Sequence, residues 1–282
     1  MQSSSDLTEF LRTQTYVAFD TETTGLWAPV NRLVEIAGVK FRLGQVEPEE
    51  SFASLINPER PIPEDVVAIH GITDAMVAAA PTARAVLERF VAFCDDDSIL
   101  IAHNAPFDIS FVHCELGRLG LPYPENVILD TVDIYRRLHP GLESYSLLSL
   151  VSRFEIARTQ EHRALSDAIL VQGLFAVAAS GFGDVCSVDA LKSRFATYSL
   201  ATWPGEEGEL PPEFSELTRA IKESRRVEII YQSPSQREHT RVIQPKQVYI
   251  LGSMYYINAF CERAHGERTF RLDRIEQYQV ID

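Results

Sequence analysis

Strand and helix signals alternate through the first two-thirds of the chain. Residues 16–22 (YVAFDTE) are a short apolar run ending in acids. Residues 32–41 (RLVEIAGVKF) are rich in apolar and β-branched side chains, and residues 51–58 (SFASLINP) form a third such run stopped by proline; all three read as strands. Residues 82–94 have helical spacing, with Ala85, Leu87, Phe90, Val91 and Phe93 able to share one side. Residues 98–104 (SILIAHN) read as another buried strand. A helix is expected over 108–119, opened by Asp108 and ended near Gly120. Residues 127–137 (VILDTVDIYRR) begin as strand and continue as helix, and 146–154 and 164–179 are further helices. Such mixing predicts a layered α/β domain.

The composition then shifts. Residues 201–214 (ATWPGEEGELPPEF) are rich in Pro, Gly and Glu, as inter-domain connections are. Beyond them, 213–224 read as one helix, followed by short β-like runs: VEIIYQ, TRVIQPKQVYIL, MYYINAFCE, RTFRLDRI and QYQVI. Turns at SPSQ, LGS and RAHGE separate them, which predicts a small antiparallel sheet or barrel. The expected boundaries are a first domain at 1–183, a linker at 184–212 and a second domain at 213–282.

Length and composition suit two globular domains. The chain has 282 residues, 45% hydrophobic and 23% charged. It holds no apolar run long enough to span a bilayer, so no membrane partner is expected. Its N-terminal segment lacks a basic region followed by an apolar stretch, so no secretion signal is expected either. Cys94, Cys114, Cys186 and Cys261 are far apart and show no CxxC spacing. They read as free thiols in a reducing cytoplasm, and a structural zinc site is not expected.

Charge is unevenly distributed. Residues 1–184 carry 13 basic and 26 acidic side chains, a net of −13, whereas residues 211–282 carry 11 and 10, a net of +1. A phosphate ligand would approach the acidic part only with bound cations or a basic helper.

Candidate chemistry lies in three places. In residues 19–26 (FDTETTGL), Asp20 and Glu22 are two apart on a strand and so point to one face. Paired carboxylates repel unless a cation sits between them, and Mg²⁺ or Mn²⁺ prefers oxygen ligands of this type. In residues 102–108 (AHNAPFD), Asp108 follows a buried strand. In residues 161–168 (EHRALSDA), His162 lies five residues before Asp167 at the start of a helix. Taken singly, each has an ordinary reading: edge-strand acids, a helix N-cap, solvated helix residues.

Together the order DxE, D, HxxxxD resembles the DEDDh-type 3′→5′ exonuclease family, the group of the proofreading (epsilon) subunit of bacterial DNA polymerase III. FDTETTGL, HNAPFD and HRALSDA look like its three motifs, and HGIT (70–73) and LDT (129–131) also fit it. A sister group carries tyrosine four residues before the last aspartate; here that position is Arg163, and His162 indicates the histidine type. The resemblance covers roughly residues 14–180. It implies a ribonuclease-H-like mixed sheet flanked by helices and hydrolysis of a nucleic-acid end with two divalent cations, Mg²⁺ or Mn²⁺. It further implies that Asp20, Glu22, Asp108 and Asp167 hold the cations and that His162 is the general base. Thr23, Thr24, Leu26, Asn104 and Phe107 would seat the terminal nucleotide. His103 and His70 read as structural. The acidic run 95–97 reads as a solvated turn.

From about residue 213 the chain resembles a WYL domain, a small module of SH3-like barrel type, through RVIQP, MYYINAFCE and RTFRLDRI. The name-giving Trp-Tyr-Leu stands here as Tyr255-Tyr256-Ile257. Arginines interleave with aromatics, and Arg241, Tyr255, Tyr256, Arg268, Arg271 and Arg274 are candidates for binding nucleic acid or a nucleotide ligand. The expected partner is single-stranded DNA, with RNA as the alternative. A different class of function is a regulatory binder whose nuclease half is inert.

Overall fold

The first half of strand β1 (Tyr16–Thr23) is apolar on both faces, and its alternation organises the first unit of the molecule. Tyr16 and Ala18 join one core cluster with Val39, Phe41, Tyr135 and Phe175. Val17 and Phe19 join another with Phe90, Ile109 and Phe111 on the opposite face. Full burial of side chains such as Phe111 and Phe175 contributes roughly 1.5–3 kcal/mol each. The computed structural model describes residues 7–45, 48–203, 210–232, 238–251 and 254–281. It divides into two compact units, residues 1–203 and 204–282.

In the first unit, a short helix α1 (Glu9–Thr13) leads into β1, β2 (Leu33–Phe41) and β3 (Glu50–Leu55). Helices α2 (Glu64–His70), α3 (Asp74–Val77) and α4 (Ala83–Cys94) follow. The chain then runs through β4 (Ile99–Ala102), α5 (Ala105–Leu119), β5 (Ile128–Asp130), α6 (Thr131–Leu138), α7 (Leu147–Arg153), α8 (Ala164–Ala179), α9 (Val188–Arg194) and β6 (Thr197–Tyr198). The six-stranded sheet has the order β3-β2-β1-β4-β5-β6. Strands β1, β4 and β5 are parallel, and the outer neighbours are antiparallel, so the sheet is mixed. Side chains of α6, α7 and α8 cover one face; those of α4 and α5 cover the other.

Three expectations need correction. In α4 the buried side chains are Ala83, Val86, Leu87, Phe90, Phe93 and Cys94, while Ala85 is exposed and Val91 only half-buried. The i, i+3, i+4 face is set by Ala83 and Val86, and Ala85 falls out of phase with it. Helix α5 starts at Ala105 rather than Asp108, with a proline at its start, where a missing N–H costs nothing. Its C-terminus is capped by Gly120 at φ 62°, a left-handed backbone that glycine adopts freely. Much of the expected linker at 184–212 is ordered structure. Helix α9 buries Leu191, Phe195 and Leu200 are also buried, and β6 pairs with β5. Residues 204–209, the centre of the Pro/Gly/Glu stretch, lie outside the described residues.

The second unit holds α10 (Ser215–Lys222) and a five-stranded antiparallel sheet. Its strands are β7 (Val227–Gln232), β8 (Glu238–Leu251), β9 (Met254–Cys261), β10 (Gly266–Arg271) and β11 (Ile275–Val280), in the order β10-β9-β8-β7-β11. Strand β8 is one long strand with a register shift between Pro245 and Gln247, where a residue without N–H is tolerated. Leu217, Ile229, Ile243, Ile257 and Phe270 form its core. The expected SPSQ turn and the centre of LGS lie outside the described residues. Among the described residues no helix is long and apolar enough to cross a membrane. The four cysteines are thiols and not disulfides, Cys94 and Cys261 being buried.

Candidate active site

The pairing of β1 with β4 ends at Ala18 and Ile101, so Asp20 and Glu22 lie beyond the carboxyl end of β4. In a sheet with parallel central strands, ligand sites form outside such carboxyl ends. Both side chains share the face that α8 covers, and Asp167 enters from the first turn of α8. Ligand atoms of Asp20, Glu22 and Asp167 all lie within 4.8 Å of one another.

Asp108 reaches the same place from the other face of the sheet. Thr21, between the two acids on β1, faces the α5 side and donates to Asp108 Oδ1 at 2.7 Å. Asp108 is buried, and its charge raises the pKa of Asp20. The four carboxylates therefore straddle the end of β1: three on the α8 side and Asp108 on the α5 side.

Every one of these acids is held above its ordinary range. Burial, then the charges of Asp108, Glu22 and Asp167, pushes Asp20 well up. Burial, then Asp167 and Glu35, pushes Glu22 up to about 8. Burial carries Asp108 to about 7 against the bond from Thr21. Asp167 is raised by burial, opposed by a bond from Gln160 and by the charge of His162. Gln160 Nε2 donates to Asp167 Oδ2 at 2.6 Å, while Asp167 Oδ1 is buried without a hydrogen-bond partner. A buried orphan oxygen among crowded carboxylates fits a hard divalent cation, which would neutralise the charge and satisfy the oxygen.

His162 is exposed, immediately before α8, at φ 52°. Histidine enters the left-handed region at a cost of about 1 kcal/mol, so the surrounding structure must hold it there. Its charge is felt by Asp167, and among the described residues its ring makes no hydrogen bond. An imidazole so placed is open to a water or substrate proton.

The expected nucleotide-seating residues differ in what they have free. Leu26 is 51% exposed, which suits a wedge better than a core role. Thr23 and Thr24 are buried, and their hydroxyls donate to Gly25 O and Asn31 Oδ1. Those hydroxyls are committed to shaping the turn that presents Leu26. Asn104 is exposed at φ 59°, and Phe107 is half-buried against Phe111. Trp27 is buried.

Further residues support the site, of which Glu35 and Gln160 were not singled out by sequence. Asp130 Oδ1 accepts from the N–H groups of Asn104 and Val132, both at 2.9 Å, and so fixes the turn before α5 and caps α6. Burial raises it to about 6. His103 Nδ1 meets Thr131 Oγ1 at 2.8 Å, and burial lowers the ring to about 4, as befits a structural residue. His70 Nδ1 accepts from Ile72 N–H at 2.9 Å, so Nε2 carries the proton and donates to Thr23 O at 3.3 Å. Asp95, from the acidic run, pairs with Lys40 at 2.7 Å. Glu35 had one signal: it is the only acid in the apolar run of β2, and a buried acid in such a run demands a partner.

The six aromatic and basic candidates of the second unit do not form one surface. Tyr256 stands opposite Arg271 in the β9–β10 register; burial raises its phenol's pKa, opposed by the charges of Arg271 and Arg274. Arg271 is held by both oxygens of Asp273, at 3.0 and 2.7 Å. Arg268 is exposed opposite Ala259. Tyr255 packs against the core, and Arg241, beside the buried Ile229, donates to Cys261 Sγ at 3.7 Å. Strand alternation thus turns Arg241 and Tyr255 inward, which separates them from Tyr256 and Arg271.

Comparison with known proteins agrees with this geometry. The model of the Exonuclease family matches residues 17–175, and that of the WYL domain matches residues 212–280. The chain is 39% identical over 158 residues to the PolC-type DNA polymerase III of Listeria monocytogenes, covering 56% of this chain and 11% of that protein. It is 37% identical over 158 residues to the PolC-type DNA polymerase III of Bacillus subtilis, again 56% and 11%. The chain therefore spans about a tenth of the length of these relatives. Among solved structures, a 3′-exonuclease that recognises the histone mRNA stem-loop shares the fold. Its TM-score is 0.56 at 14% identity, over 75% of this chain and 78% of that one. Exonuclease I gives 0.54 at 15% identity, over 88% and 55%.

Proposed function

Because the chain belongs to the Exonuclease family and carries a C-terminal WYL domain, we propose that it removes nucleotides from the 3′ end of single-stranded DNA, releasing 5′-mononucleotides. The observation that carries this reading is the convergence of Asp20, Glu22 and Asp167, whose ligand atoms lie within 4.8 Å of one another, together with an Asp167 oxygen that is buried and has no hydrogen-bond partner among the described residues.

Asp20, Glu22 and Asp167 hold one divalent cation, Mg²⁺ or Mn²⁺, and Asp20 with Asp108 holds a second. Such ions supply an acidified water and neutralise charge at the phosphoryl group. The chain's own residues do the rest. His162 takes the proton of the attacking water, as an imidazole open to solvent is suited to do. Leu26 wedges against the terminal base, while Asn104, Phe107 and the backbone of Thr23 and Thr24 bracket the terminal sugar. Gln160 fixes the rotation of the Asp167 carboxylate.

Identity over 158 residues to a PolC-type DNA polymerase III favours DNA over RNA as substrate. In the second unit, Tyr256, Arg271 and Arg274 contact the strand, with stacking on the phenol and phosphates on the guanidiniums. The role proposed is trimming of DNA ends during repair or processing. The test is degradation of 5′-labelled DNA and RNA oligonucleotides of one sequence with Mn²⁺ or Mg²⁺. Faster shortening of DNA from the 3′ end supports the reading; faster shortening of RNA would make the protein an exoribonuclease. Binding without cleavage of either would make it a regulatory binder.

A further inference from the structure

Each neighbour of His162 is tied down by its side chain, whereas His162 itself is not. Gln160 donates to Asp167 Oδ2 at 2.6 Å, and Glu161 accepts from Ser166 Oγ at 2.7 Å. Arg163 forms a two-pronged ion pair with Glu35, Nε to Oε2 at 3.0 Å and a terminal nitrogen to Oε1 at 2.5 Å. Glu35 Oε2 also accepts from Ala164 N–H at 3.0 Å. Arg163 is the N-cap residue of α8 and its own side chain caps nothing, so Glu35, from a neighbouring strand, does the capping.

Glu35 lies directly opposite Glu22 in the β1–β2 register. Its carboxylate is 6% exposed. A buried acid beside an acidic cluster adds repulsion, and its charge does raise Asp20 and Glu22. A purely structural helix cap would be served by a neutral serine or asparagine without that repulsion. What the carboxylate alone provides is a fork-to-fork partner for a guanidinium, which fixes both the direction and the rotation of Arg163.

We infer that Glu35 is a positioning residue for the cleavage step: through Arg163 and the first turn of α8 it holds the strained backbone of His162, and with it the imidazole, over the acidic cluster. This rests on His162 being the general base of the function proposed above. Residues that orient a catalytic group commonly change activity by roughly 10–100-fold when removed.

The test uses the full chain with Mn²⁺ and a 5′-labelled single strand, comparing wild type with Arg163→Gln, Arg163→Lys and Glu35→Gln. Arg163→Gln should lower kcat by roughly 10–100-fold, with KM and calorimetric Mn²⁺ affinity close to wild type and the protein folded at the assay temperature, its Tm lowered because the buried Glu35 loses its cation. Arg163→Lys should recover part of the loss, since an ammonium still pairs with Glu35 but loses the fork. In a His162→Ala background Arg163→Gln should cost less than about twofold, because its effect runs through the missing ring. Full additivity in that background would overturn the inference, as would a kcat fall matched by lost Mn²⁺ affinity or lost folded protein. Should Glu35→Gln fail to fold, the Arg163 variants carry the test. Cleavage by wild type with unchanged Arg163 variants overturns this inference alone; no cleavage by wild type overturns it together with the proposed function.

Discussion

Gln160 Nε2 donates to one oxygen of Asp167 at 2.6 Å and leaves the other buried with no hydrogen-bond partner. The bond restrains the rotation of the Asp167 carboxylate beside Asp20 and Glu22. Gln160→Ala frees the carboxylate to rotate. It is expected to lower activity roughly 10–100-fold and to weaken Mn²⁺ binding. Calorimetric titration beside single-turnover cleavage checks both; unchanged Mn²⁺ affinity would remove Gln160 from the site.

The raised carboxyls make a prediction about stability without cations. A carboxyl whose folded pKa exceeds its unfolded one keeps a proton that the unfolded chain has lost. For Glu22 this interval runs from the ordinary 4.5 to about 8. The cation-free protein should be at full strength below the lower value and lose stability as pH rises toward the upper one. Mn²⁺ should reverse the loss. Glu22→Gln removes the charge and should make the cation-free protein more stable at pH 8 by about 1–2 kcal/mol, a Tm rise of roughly 2–6 °C, while abolishing cleavage. Thermal melts from pH 4 to 9 with EDTA or Mn²⁺ read this directly; a cation-free Tm that climbs with pH through this range would contradict it.

His162 should separate chemistry from cation binding. It lies outside the group of Asp20, Glu22 and Asp167 whose ligand atoms converge. His162→Ala is expected to cut kcat by roughly 10²–10⁴-fold with Mn²⁺ affinity retained. Loss of Mn²⁺ binding in that variant would make the ring a ligand instead of a base.

In the second unit, Arg271 stands opposite Tyr256, whereas Arg268 is in register with the buried Ala259. Arg271→Glu should therefore weaken single-strand binding more than Arg268→Glu and reduce the salt dependence of binding by about one unit of slope. Anisotropy titrations at several salt concentrations measure both. Affinity and slope unchanged from wild type in both variants would assign the WYL domain a ligand other than a nucleic-acid strand.

Much of the site could be read along the chain because its spacing is local. Asp20 and Glu22 share a face by strand periodicity alone, and His162 and Asp167 flank a helix start that the pattern at 164–179 announces. Asp108 was legible as a residue but not in its setting: the helix begins three residues earlier, and the bond from Thr21 crosses from β1 to α5. Glu35 and Gln160 act through partners brought close only by folding, so no spacing marks them. The same holds for β6, whose two residues become a strand only because β5 offers an edge. In the second unit, the run of arginines and tyrosines carried no sign of which would turn inward; Arg241 and Tyr255 do so because their strand neighbours Ile229 and Ile257 are core.

The decisive measurement is the fate of a 5′-labelled DNA single strand incubated with the wild-type chain or Asp167→Asn, in Mn²⁺ and in EDTA. A ladder shortening from the 3′ end with wild type and Mn²⁺, absent in EDTA and reduced at least about a thousandfold in Asp167→Asn, is the expected result. Cleavage that persists in EDTA, or an Asp167→Asn protein as active as wild type, would contradict catalysis by the Asp20–Glu22–Asp167 cluster.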